Sequence, residues 1–182
     1  MRAVRSWRRL AARLNPGRSR QLSFVLTLAL GETGRPGNDL ERAAILMDSC
    51  VRFVDPADVG AFLVCSPAGN LAEVRRGLSA YERHFPLEFL DESAVAPVLA
   101  SDPDTRSDWP NPNKGWYRQQ LIKLAAHAFV STPFYMTLDS DVIFKRPLRA
   151  RQLVGAGRSL VNVETHALYR SLYLPEKADF ER

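Results

Sequence analysis

The chain switches repeatedly between short, nearly continuous apolar runs and stretches whose apolar residues recur at helical spacing, and few architectures accept that alternation. Ser23 to Leu30 (S-F-V-L-T-L-A-L) is an apolar run of strand length and reads as a buried strand. Gly31 to Asn38, with three glycines and a proline, reads as a loop. From Asp39 the period changes: Leu40, Ala44, Met47, Val51 and Val54 form a helical stripe, with Arg42 and Asp48 outside it and Asn38 or Asp39 placed to cap the helix. Val59–Cys65 predicts a second buried strand. Leu71–Phe85 predicts a second helix exposing Glu73, Arg75, Arg76 and Arg83, and Leu87–Leu90 a short third strand. Strands that alternate with helices are joined by crossovers, so the expected fold is α/β, a mostly parallel central sheet with helices on both faces. Such sheets bind ligands beyond the carboxyl ends of their strands.

Charge separates the chain into an arm and a body. Residues 1–20 hold seven arginines and no acid, which leaves 18 basic residues against 20 acidic ones in the remainder. The net charge of +5 therefore belongs to the arm, and the body from residue 21 to residue 182 is nearly neutral. No basic patch interleaved with aromatics appears after residue 20, which argues against nucleic acid as a partner. Within the arm Trp7, Leu10, Ala11 and Leu14 share a helical stripe among arginines; it reads either as a solvated terminus or as a segment lying on an anionic membrane surface. It has no apolar run long enough for a signal peptide or a membrane span. The two cysteines, Cys50 and Cys65, lack zinc-type spacing and fit a reducing, cytoplasmic setting, with a single disulfide as the other option.

The most informative chemistry stands in F-Y-M-T-L-D-S-D-V-I-F-K-R-P, residues 134–147. The apolar strand Phe134–Leu138 ends in two aspartates one residue apart, where strand alternation is lost and both carboxylates can face one cleft. Mg²⁺ and similar hard cations take oxygen ligands, characteristically one or two carboxylates together with substrate phosphates. Two adjacent carboxylates repel each other, and a cation removes that penalty. The alternative is a solvated carboxylate pair on a loop. Before this strand lie a polar, proline-rich loop over residues 101–113 and a helix over Lys114–Val130. Tyr117, Leu121, Leu124 and Ala128 form that helix's expected core stripe, while Gln120, Lys123 and His127 lie on another face.

The segment from Trp116 to Pro147, with its helix K-G-W-Y-R-Q-Q-L-I-K-L and its strand Y-M-T-L-D-S-D-V-I-F, resembles the core of GT-A-fold glycosyltransferases. It is similar to the glycogenin-like retaining family, in which a helix carries a lysine sixteen residues before the first aspartate of the D-x-D motif; Lys123 stands sixteen before Asp139. The helix wording also resembles a bacterial family of GT-A-like proteins. The resemblance implies that Asp139 and Asp141 hold Mn²⁺ or Mg²⁺ against the diphosphate of a nucleotide-sugar, and that Lys123, with Gln120 beside it, contacts the donor. Thr27 and Leu28, at the end of the first strand, would line the nucleotide pocket. The GT-A fold normally continues well beyond this motif, so the C-terminal portion is expected to be missing from a donor-binding domain spanning 21–182. Beyond Asp141, Ser159–Val163 reads as a strand, and His166 is a lesser choice for a third metal ligand.

Three rivals stand beside this reading. A shortened GT-A-like domain could act as a binding module without catalysis. A haloacid-dehalogenase-type phosphatase also ends a strand in D-x-D, with the first aspartate as nucleophile, but its motif usually comes early and precedes a further acidic pair. A nucleotidyltransferase would place a glycine-rich phosphate loop after the first strand, and Gly31–Gly37 lacks a recognisable version of it.

Overall fold

The computed structural model describes residues 21–30, 39–97 and 114–160. Within the unit that ends at Arg151, four strands form one all-parallel sheet. They are β1 (Leu22–Thr27), β2 (Val59–Ser66), β3 (Leu87–Asp91) and β4 (Phe134–Leu138). The helices are α1 (Asp39–Phe53), α2 (Leu71–Leu78), the single turn α3 (Glu92–Val95) and α4 (Lys114–Ala125). The α/β expectation holds: the sheet is parallel, and its strands run β3-β2-β1-β4 across it.

β1 and β2 are buried almost throughout, as their unbroken apolar runs require of central parallel strands. Alternate residues serve opposite faces. Val25, Ala61, Leu63 and Cys65 pack with Val95 and Ala96 of the α3 turn and with Ile122, Ala126 and Val130 of α4 and its C-terminal extension. On the other face Phe24 and Phe62 lie 5.4 Å apart, centroid to centroid, and Phe62 reaches Phe85. Phe24 also meets Phe144, whose N–H donates to Ser49 Oγ on α1. The α1–α2 layer is tied together by the Tyr81 hydroxyl, which bonds Ala44 O and Asp48 Oδ1.

Several expected details shift. β1 ends at Thr27, and α2 stops at Leu78, where a 3₁₀ turn over Ser79–Tyr81 takes over. In α1 the buried positions are Ala43, Leu46, Met47, Ser49 and Cys50, so the stripe through Leu40, Ala44 and Val51 is rotated from the one predicted. In α4 the correction is larger. Ile122 and Ala126 face the sheet, whereas Tyr117 is 39% and Leu124 70% exposed. Both helices carry apolar residues on two adjoining stripes, and contact with the sheet selects which of the two is buried.

Beginning at Gln152, the second unit shows one hairpin, β5 (Val154–Gly155) and β6 (Arg158–Ser159). Ala156 and Gly157 form its two-residue loop with φ of 50° and 72°, the sign pattern of a type I′ turn. β6 is shorter than the strand expected over Ser159–Val163, whose last three residues lie outside the described residues. Residues 1–20, 31–38 and 101–113, and His166, also lie outside them. Among the described residues no helix is long and apolar enough to cross a membrane.

Candidate functional site

The chain steps from β1 to β2 to β3, then returns to lay β4 on the free side of β1. Strand order therefore reverses between β1 and β4, and in doubly wound sheets the crevice at the carboxyl ends of such a pair is the usual ligand site. A cavity of about 250 Å³ opens there. Thr27 reaches it from the end of β1, Asp39 and Arg42 from the first turn of α1, and Trp116, Gln119, Gln120 and Lys123 from α4. Asp139, Ser140 and Asp141 reach it from the segment after β4.

The aspartate pair faces the cavity because the chain turns as it leaves the sheet. Val142 N–H donates to Asp139 O at 3.1 Å, closing a turn that replaces strand alternation and brings Asp139 and Asp141 to the same opening. Lys123 Nζ donates to Asp139 Oδ1 at 2.5 Å. The two side chains differ in access: that of Lys123 is 11% exposed and that of Asp139 54%. The lysine thus holds one carboxylate oxygen and leaves the rest of the group open to solvent.

Three contacts fix the helix that delivers Lys123. The Tyr135 hydroxyl donates to Lys123 O at 3.0 Å, and burial holds the phenol above its ordinary pKa, so it stays a donor. Arg118 donates through Nε and a terminal nitrogen to Oε1 of the buried Glu92 at the start of α3, with the Nε contact at 2.7 Å. Ile122 and Ala126 lock the inward face. On the opposite wall, Arg42 lies 3.6 Å from Asp39. Thr27 Oγ1 is buried and has no hydrogen-bond partner among the described residues, an unsatisfied polar atom at the cavity's floor.

The expected site residues Thr27, Gln120, Lys123, Asp139 and Asp141 therefore converge on one cavity. Leu28 does not: it is 2% exposed, and its N–H extends the ladder to Cys65 O at 2.9 Å, so it belongs to the core. Asp39, Arg42, Trp116, Gln119 and Ser140 join the site without having been assigned to it. For α4 the signal was present as the spacing 116, 119, 120, 123, one polar helical face. Arg42, outside the apolar stripe and one turn from the helix start, carried a weaker form of the same signal.

The donor set suits a divalent cation only in company. Among the described residues no group of three His, Cys, Asp or Glu side chains could hold a metal ion. Two open carboxylates match the way Mg²⁺ and Mn²⁺ are held jointly by protein and phosphate oxygens. Formal charges point the same way, with three carboxylates and two cations lining one cavity.

Residues 19–178 match the model of a family of unknown function (DUF6492), and the chain belongs to that family. No curated protein and no solved structure matches it.

Proposed function

We propose that this DUF6492 member is a metal-dependent GT-A-type glycosyltransferase that binds a nucleotide-diphospho-sugar and transfers its sugar to an acceptor. The observation that carries this reading is the convergence of Thr27, Lys123, Asp139 and Asp141 on one cavity where the strand order of a parallel sheet reverses. Asp139 and Asp141 would hold Mn²⁺ or Mg²⁺ together with the diphosphate. When bound, that cation supplies Lewis-acid stabilisation to the departing nucleoside diphosphate.

The chain's own groups account for the rest of the binding. Lys123 and Arg42 set a cation on each of two walls, suited to phosphate oxygens that arrive between them. Gln120 and Thr27 Oγ1 offer hydrogen bonds to sugar hydroxyls or to the nucleoside. Because acid side chains outnumber basic ones on the lining by one, a diphosphate without a cation meets net repulsion, and binding requires the metal. In the same reading the chain works in the cytoplasm.

Calorimetric titration with UDP-glucose, UDP-galactose and GDP-mannose, with and without Mn²⁺, tests the site. Binding of at least one donor only with Mn²⁺, and its loss in Asp139→Ala/Asp141→Ala, is the expected result. A folded wild-type chain that binds none of them overturns the reading.

A further inference from the structure

The wall that α4 presents to the cavity is more specific than a phosphate site needs. Trp116, Gln119, Gln120 and Lys123 occupy i, i+3, i+4 and i+7 of one helical face, and all four line the cavity. Trp116 is the one large apolar side chain in that lining, and it is 56% exposed. Its only neighbour in ring contact among the described residues is Tyr117, T-shaped at 5.0 Å between centroids, so no described ring lies parallel to the indole. An aromatic surface beside carboxamides and a cation is the combination that receives a ring: the flat face stacks, the amides read its edge, and the cation takes its charge.

We infer that Trp116 is a stacking platform for a ring of the bound ligand, with Gln119 and Gln120 reading the polar edge of that ring while Lys123 holds the adjoining phosphate. This rests on the nucleotide-diphospho-sugar reading and adds to it a division of labour. The diphosphate is taken at the end of the wall bearing Lys123, Asp139 and Asp141, and the ring one to two helical turns away at Trp116. The ring can be the nucleobase or the sugar, since both present a face to an indole and hydrogen-bonding groups at the edge.

The test compares wild type, Trp116→Ala and Trp116→Phe by calorimetry in Mn²⁺, using UDP-glucose, UDP and pyrophosphate as ligands. Trp116→Ala is expected to bind UDP-glucose about 10- to 100-fold more weakly, the range spanned by loss of one stacking contact. It should bind pyrophosphate as wild type does, and Trp116→Phe should restore most of the UDP-glucose affinity. A loss also seen with UDP assigns the platform to the base; a loss confined to UDP-glucose assigns it to the sugar. Equal UDP-glucose binding by wild type and Trp116→Ala overturns the platform alone, as does an equal loss of pyrophosphate. Wild type that binds pyrophosphate but neither UDP nor UDP-glucose overturns the nucleotide-sugar reading, and the platform with it.

Discussion

Lys123 and Asp139 satisfy each other at 2.5 Å, so the lysine occupies a carboxylate oxygen that a cation would also want. Their exposures show which partner is anchored: the lysine side chain is nearly buried, whereas more than half of the carboxylate side chain stands in solvent. Removing the amine should therefore act in opposite senses on two ligands. Lys123→Ala is expected to bind Mn²⁺ alone more tightly, because a competing charge is gone. It should bind a nucleotide-sugar with Mn²⁺ about tenfold more weakly, through loss of a phosphate contact comparable to one charge-assisted hydrogen bond. Calorimetry with each ligand separates the two effects, and parallel losses for both would show that the lysine merely supports the fold. The residue types at this site were legible because Asp139 and Asp141 come directly after an apolar strand and Lys123 precedes them at a telling interval. Asp39 was not, and Arg42 only weakly, since their place beside that pair depends on α1 starting over the end of β1, which no local pattern states.

β2 contains the one register irregularity of the sheet. Leu22 pairs with Val59 and Ser23 with Ala61, so Gly60 is the extra residue of a bulge. A Cβ at position 60 would stand 2.3 Å from Thr132 Cγ2. Thr132 has little freedom to retreat, because its hydroxyl donates to Phe134 O at 2.7 Å and meets Ser23 Oγ at 2.6 Å. Gly60→Ala should cost about 1–3 kcal/mol, the usual range for overpacking. The check is a thermal melt, where each kcal/mol corresponds to about 2–4 °C in a chain of this length. A glycine inside an apolar strand hinted at the bulge, but its tight neighbour comes from the turn before β4, far along the chain. Helix rotation was illegible for a related reason. α1 and α4 each carry two adjoining apolar stripes, so the period alone does not say that Ile122 and Ala126 are buried while Leu124 is exposed.

A second element-scale tie holds the segment after the aspartate pair. Leu148 N–H donates to Phe53 O at 2.8 Å, Ala150 N–H to Asp58 Oδ2 at 3.0 Å, and Arg149 pairs with Asp55. The Ala57 N–H, then Arg149, holds the Asp55 carboxyl below its usual pKa. A lowered folded-state pKa contributes stability above the unfolded value of about 3.9 and loses it as pH falls through the folded one. Asp55→Asn keeps the acceptor and removes the charge. It should therefore be less stable than wild type in urea melts at pH 7, with the gap closing below about pH 4. A gap that does not change with pH would assign the effect to packing instead.

Across the whole four-stranded unit, the two cysteines report on opposite layers. Cys50 sits in α1 on the Phe24 face, and Cys65 in β2 on the α4 face; both are free and buried. The disulfide that the sequence left open is therefore absent. Burial pushes each thiol up to about 12, with Glu92 adding to the effect at Cys65. At pH 8 neither should form the thiolate that reacts with a disulfide reagent, so labelling must wait for opening. If the two layers share one cooperative core, both thiols should become reactive at the same urea midpoint, coincident with loss of far-UV ellipticity. The raised values also set a sign for alkaline conditions. The unfolded thiols ionise near 8.5 while the folded ones stay protonated, so stability should fall as pH rises from about 8.5 towards 12. Earlier exposure of Cys65 than of Cys50 would show that α4 lifts from the sheet before α1 does. The wall bearing Lys123 and Trp116 would then be the less stable side of the site, able to open around a ligand while β1 and α1 stay in place.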